Sequence, residues 1–233
     1  MAIPPGSYKL GPENGKMLVK TGREGMGGKM GHDLVIEVGR WSATADVGED
    51  LSACSLTGSA DVGSMEVVSG EGGVKPLSDG DKAEIKKTIV DKILGDTKID
   101  FKSTSVSGGG SNATVQGELT IAGKTAPVQF QLQDLGGGRI KATGQVVQSN
   151  HGVKPFKAFM GALKVKDAVD IEIEDFVPPA LPEGEVSKLT GMFHPANSTL
   201  TIAKATRSRV DAFGLSFANE GKNGHSAPFS WAA

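Results

Sequence analysis

The ten residues Gly22 to Gly31, GREGMGGKMG, place five glycines around Arg23 and Lys29 and lead directly into His32. This is the stretch where backbone amides and cations could gather an anion. A phosphate loop of the form GxxxxGK followed by Ser or Thr does so, but it needs a strand before it and a helix after it. Here Met30 follows Gly28-Lys29, Arg23 stands where the first glycine belongs, and no helical pattern comes next. A nucleotide site is therefore not expected. His32 keeps two readings. Its ring sits at a cavity mouth and binds a polar headgroup, or it is a structural histidine satisfied by a turn carbonyl. Arg23 is likewise either a rim cation for an anionic ligand or a surface residue.

Other chemistries find no constellation. His32, His151, His194 and His225 are scattered, with no HExxH and no pair at metal spacing, so no metal is expected. Asp79-Gly80-Asp81 is too short for a calcium loop and serves better as a helix cap. Cys54 is alone, lies in a strand pattern rather than at an electropositive helix start, and cannot form an internal bridge. No serine occupies a G-x-S-x-G elbow. Asp170, Glu172 and Glu174 alternate along one strand face, which reads as a solvated outer surface, with an acidic catalytic pair as the competing reading. No catalytic residue and no cofactor is expected, and the chain does not read as an enzyme.

The totals suit an all-β protein rich in turns. A chain of 233 residues with 33 glycines suits one large turn-rich β-domain, or one domain plus an appendage. A formal net charge of −2 gives no electrostatic reason to expect nucleic acid or an anionic membrane surface as partner. The opening MAIPPGSYKLGPENGK has no leader pattern, and no run approaches the roughly 18 apolar residues of a spanning helix, so a cytoplasmic protein without a membrane span is expected.

The elements that must position these residues are mostly strands. Val115 to Gln133 alternates with period two on both sides of Ala122-Gly123-Lys124, the mark of a half-buried hairpin with Pro127 at a strand start. Leu34, Ile36 and Val38 form one side of a strand running on to Trp41, and Leu56 to Val68 reads as one long, glycine-bent strand. Between Pro76 and Gly95 the period becomes helical. Ile85, Ile89, Val90, Ile93 and Leu94 make a stripe, Ser78 and Asp81 a capping box, and Gly95 a stop. That stripe is expected to close over the sheet by core packing. Ile99, Phe101, Ser103 and Ser105 share a face, as do Ile140, Ala142, Gly144 and Val146, then Val169, Ile171 and Ile173. About eight strands and a helix within residues 1–177 predict a closed or nearly closed antiparallel barrel. Residues 178–233 read as a proline-rich linker and a tail in part disordered, with a weak strand at Thr199 to Ala205 and with Phe213, Phe217, Phe229 and Trp231 available for docking.

Taken in order, Tyr8, Thr21-Gly22-Arg23, Gly31-His32-Asp33-Leu34, Lys75-Pro76-Leu77-Ser78, Ile99-Asp100-Phe101-Lys102-Ser103, the run Gly117 to Val128 and the run Gly161 to Asp167 resemble the YceI-like family of polyisoprenoid-binding proteins. The likeness spans about residues 7–177. It implies an all-β fold, an extended eight-stranded antiparallel lipocalin-like barrel with one amphipathic α-helix, whose apolar interior holds an isoprenoid chain or similar lipid. It implies no catalytic residues. The expected function is binding, storage or transport of such a lipid, a polyprenyl chain with or without a phosphate or quinone-like head. Leu34, Ile36, Val38, Phe101, Leu119, Ile121, Phe130, Leu132, Val169, Ile171 and Ile173 are expected to line the cavity, with Arg23 and His32 near the headgroup. Small inward residues, Gly117, Ala142 and Gly144, are expected to leave room for the guest. The competing class is a structural or stress-related interaction protein with a packed barrel and a partner-binding tail. A homodimer is open under either reading.

Overall fold

The computed structural model describes residues 3–176, 198–200 and 217–219. In chain order the elements are β1 (Gly6–Leu10), β2 (Lys16–Thr21), β3 (Arg23–Glu24), β4 (His32–Val38), β5 (Trp41–Val47), β6 (Ser55–Asp61), β7 (Met65–Gly72), α1 (Asp79–Thr88), β8 (Lys98–Gly109), β9 (Asn112–Ile121), β10 (Lys124–Gly136), β11 (Arg139–Val147), β12 (Lys157–Ala158), β13 (Leu163–Val165) and β14 (Ala168–Phe176). The chain divides into two units, Met1–Pro179 and Ala180–Ala233. In the second, β15 (Ser198–Leu200) pairs antiparallel with β16 (Phe217–Asn219). The linker, the remainder of the strand expected at Thr199 to Ala205, and Phe213, Phe229 and Trp231 lie outside the described residues.

Eleven strands form one antiparallel sheet in the order β1-β5-β6-β8-β9-β10-β11-β14-β2-β4-β7. The expected count of eight is corrected, and the reason is local. Val38 does not run on to Trp41: the chain turns at Gly39-Arg40 and a separate strand, β5, begins. Its inward residues Ala43 and Ala45 are too small to announce a buried face. The long strand expected from Leu56 to Val68 is two strands, β6 and β7, parted by a 3-10 turn at Val62–Ser64. In β8 a bulge between Ser103 and Ser105 moves the inward face from Ser105 to Val106. Pro127 stands inside β10 opposite Glu118, not at its start. It is tolerated because β11 pairs with β10 only from Phe130 onward, leaving one ladder partner at the proline.

Laid flat, eleven strands would measure about 48 Å from edge to edge at 4.8 Å per strand. Yet Leu10 of the edge strand β1 shares one buried cluster with Met65 and Val67 of the opposite edge strand β7. The sheet is therefore strongly curled. Two connections hold it so, because β4 to β5 and β6 to β7 each cross from one margin of the sheet to the other. Where they cross they are tied together. Gly39 N donates to Ser64 O at 3.1 Å and Asp61 N to Arg40 O at 3.0 Å. Arg40 N donates to Ser64 Oγ at 2.9 Å, and that hydroxyl donates to Asp61 O at 2.7 Å. Val62, fully buried, sits in the crossing and donates its N–H to Thr97 O.

The helix covers the exposed edge. α1 opens with the expected capping box, Ser78 Oγ accepting from Asp81 N and the Asp81 carboxylate from Ser78 N. It packs on β7, where Lys82 Nζ donates to the edge carbonyl of Val68 at 3.2 Å and Lys86 pairs with Glu66. After Thr88 the helix loosens into a π turn, Ile89–Leu94, and stops at Gly95 with φ 78°.

Ser64→Ala should cost about 1–3 kcal/mol in urea unfolding, since it leaves the amide of Arg40 and the carbonyl of Asp61 without their partner. The carboxyls of Asp61 and Asp81 are held below the usual aspartate value, chiefly by hydrogen bonds from Arg40 and Ser78 respectively. A carboxyl lowered by folding contributes stability that is complete above an unfolded pKa of about 4 and is lost as pH falls through the folded value. Replacing both with asparagine should therefore flatten the loss of stability measured between about pH 5 and pH 2.

Candidate functional site

Alternation along the long strands turns one set of side chains inward. In β10 the inward positions Phe130 and Leu132 are only partly buried, and so are Leu34, Phe101, Ile171 and Ile173. In a packed interior such residues are sealed by their neighbours. Here they surround a cavity of about 1410 Å³, larger than the roughly 300–1,000 Å³ typical of drug-sized sites. β10 has 13 residues and so spans about 40 Å at 3.3 Å per residue, which makes the wall long in one direction.

The structure brings together every residue expected at the site. Leu34, Ile36 and Val38 of β4, Phe101 of β8, Leu119 and Ile121 of β9, Phe130 and Leu132 of β10, and Val169, Ile171 and Ile173 of β14 all border this one cavity. Sequence reasoning missed the rest of the wall. Tyr8 and Leu10 of β1, Met17 and Val19 of β2, Trp41 of β5, and Ile85, Ile89 and Ile93 of the helical segment also line it. The helical stripe was visible as a period, but its use is double: it packs against the buried clusters and closes one side of the cavity.

The glycines act differently from expectation. Ala142 borders the cavity, but Gly117 and Gly144 do not. A Cβ on Gly117 would lie 2.5 Å from the Phe101 ring and 2.6 Å from Lys102 O, and one on Gly144 would lie 2.6 Å from the Phe130 ring. Each glycine is thus a floor on which a phenyl ring rests, and the two rings meet edge to face at 5.5 Å between centroids. The room that glycine leaves is taken by these rings, which widens the lumen at one remove.

At the mouth, His32 and Arg23 both border the cavity. His32 Nε2 hydrogen-bonds Lys75 O at 2.8 Å, the turn carbonyl of the structural reading. Arg23 Nη1 donates to Gly31 O at 2.6 Å and Glu71 O at 2.9 Å, while its backbone N donates to Asp33 Oδ1 at 2.7 Å. Arg23 therefore staples the glycine-rich loop to the end of β7. Gly72, at φ 82°, is required there because any Cβ would overlap the guanidinium. One buried donor is unmatched: Trp41 Nε1 has no hydrogen-bond partner among the described residues, and the indole borders the cavity.

Two other titratable groups are buried: Asp175 accepts from Gly11 N at 3.1 Å, and His151 Nδ1 hydrogen-bonds Lys124 O at 3.3 Å, while the acidic row of β14 lies nearer the surface. Glu172 accepts from Lys20 Nζ at 3.0 Å, and Lys141 reaches Glu172 at 3.3 Å and Glu174 at 2.8 Å. The Glu172 carboxyl is lowered, first by Lys20, and the Lys141 ammonium is raised, first by Glu174. These are cross-strand ion pairs. Among the described residues no cluster of His, Cys, Asp and Glu could hold a metal ion, and no helix is long and apolar enough to cross a membrane.

The model of the YceI-like domain matches residues 31–175. The chain belongs to the YceI-like family. The match begins at Gly31, so β1, β2 and the Arg23 loop of this YceI-like protein lie outside it. Among solved structures it is similar to BcnA of Burkholderia cenocepacia, with 19% identity over 69% of this chain and 94% of that one and a TM-score of 0.51. It is also similar to a mutant CJ YceI protein with a monobromobimane guest, with 12% identity, 60% and 81% coverage and a TM-score of 0.40. The first likeness speaks to the fold alone. No curated protein matches the chain.

Gly117→Ala in this YceI-like barrel should cost about 1–3 kcal/mol and drive the Phe101 ring toward the lumen. Urea unfolding together with the Phe101 ring resonances checks both consequences.

Proposed function

We propose that the protein binds a long apolar lipid of isoprenoid type in this cavity, as a carrier or store. The observation that supports it most directly is the cavity of about 1410 Å³ behind a wall of half-exposed apolar side chains. A side-chain-filled barrel, as the structural reading requires, would not leave that space. A chain burying roughly 400 Å² of apolar area gains on the order of 10 kcal/mol gross at about 25 cal/mol per Å². Association and ordering remove a large part of this gross gain, and the surplus sets the affinity. Leu34, Ile36, Val38, Phe101, Leu119, Ile121, Phe130, Leu132, Val169, Ile171 and Ile173 are assigned to the guest's chain, and His32 and Arg23 to the region of its head. No residue is assigned a catalytic role.

The test uses Trp41 as reporter in a Trp231→Phe background. Titration with prenyl alcohols of increasing length should change the Trp41 emission saturably, with affinity rising along the series. Ala142→Phe, which places a ring in the lumen, should weaken binding by about tenfold or more. Absence of any saturable change with every prenyl alcohol counts against the proposal.

A further inference from the structure

Two loops form one lip of the cavity. Gly27 N donates to Ala162 O at 2.9 Å, β3 pairs with β13, and Lys166 N donates to Gly22 O at 2.7 Å, so residues 22–31 and 152–166 are laced together. Met30 and Phe159, one from each loop, border the cavity. The outer side of this lip is apolar and open to solvent: Met26 is 99% exposed, Met160 108% and Phe159 62%. Phe159 and Met160 also adopt left-handed backbone, at φ 50° and 52°. That conformation is costly for side-chain-bearing residues. Here the strain accompanies exposure: Met160 stands wholly and Phe159 largely in water at a cavity mouth.

The charge around them is one-sided. Residues 152–166 contain four lysines and no acid, and with residues 22–31 the lip carries six cations against the single acid Glu24. The whole chain has a formal net charge of −2, so the lip is a local reversal of the molecule's sign. Lys29, Lys154, Lys157 and Lys166 are exposed. Apolar tips ringed by lysines are complementary to one surface in particular, an anionic headgroup layer over hydrocarbon.

We propose that this lip is a docking surface for an anionic lipid bilayer, seating the cavity mouth against the membrane from which an apolar guest is taken or to which it is returned. Lysines engage the headgroups while Met26, Phe159 and Met160 enter the acyl boundary. The purpose given to the contact rests on the lipid-binding reading, but the contact itself does not.

Co-sedimentation of the full chain with vesicles tests it, using phosphatidylcholine alone and phosphatidylcholine mixed with phosphatidylglycerol. The chain should sediment with the mixed vesicles, bind the neutral ones at least about tenfold more weakly, and be released by high salt. Met26→Ser/Phe159→Ser/Met160→Ser and, separately, Lys154→Glu/Lys157→Glu should each lose about tenfold in vesicle partitioning. Leu135→Ser, an exposed apolar change away from the lip, should sediment like the parent. Ala142→Phe should also still sediment while losing prenyl alcohol, so that failure of docking and failure of cavity binding can be told apart. The proposal is overturned if the parent ignores mixed vesicles or if the lip variants sediment as it does. It is equally overturned if the lip proves to join two copies of the chain, seen as a dimer in sedimentation velocity that the serine variant abolishes without any vesicle binding by the parent.

Discussion

The fold depends on a tie between two crossings. A sheet of eleven strands has no intrinsic reason to enclose anything; its twist alone gives an open, propeller-like surface. What brings its margins together is that β4 to β5 and β6 to β7 traverse the same gap and hydrogen-bond to each other through Gly39, Arg40, Asp61 and Ser64. The Arg40–Asp61 ion pair at 3.0 Å lies near the surface and adds little by itself. The weight falls on Ser64 and on the backbone pairs, which are buried or partly so, and on Val62 and Trp41 packed behind them.

With the margins fixed, the interior can stay hollow at tolerable cost. Buried side chains gather chiefly in two clusters, one around Ile36, Trp41, Val62 and Met65 under the helical segment, the other around Leu119, Ile121, Val146 and Val169. These supply the apolar burial that folding needs. Between them the wall is set by what each strand places inward, and Gly117 and Gly144 let two phenyl rings lie low against it. The π turn at Ile89–Leu94 belongs to the same economy of space, because a loosened turn lets the apolar stripe follow both clusters.

Much of this was legible in the residues. Period-two alternation with large apolar side chains identified β4, β9, β10 and β14 and the face of each that turns inward, and the Ser78 to Asp81 box and Gly95 bounded the helical segment. What escaped detection did so for physical reasons. β5 buries alanines, whose pattern is weak, and its start at Trp41 is hidden by a two-residue turn that the period of β4 runs through. Nothing local marks Val62–Ser64 as a corner, since its partners lie across the gap. The roles of Gly117 and Gly144 depend on which ring sits across the ladder, a matter of register that no single strand encodes. The polarity of the lip was masked by a nearly neutral total, because net charge averages over faces that a ligand meets one at a time.

The mouth then follows from the wall. Arg23 and His32, the two polar residues that first drew attention, are held by backbone carbonyls and keep the loops at the opening in place. The central claim is that the lumen is hollow and takes a greasy guest. Organic-solvent extraction of the purified chain, fresh and after incubation with polyprenyl lipid, followed by mass spectrometry of the extract, reads this directly. A long-chain lipid recovered at about one per protein is the expected result; an extract that stays empty even after incubation would contradict it.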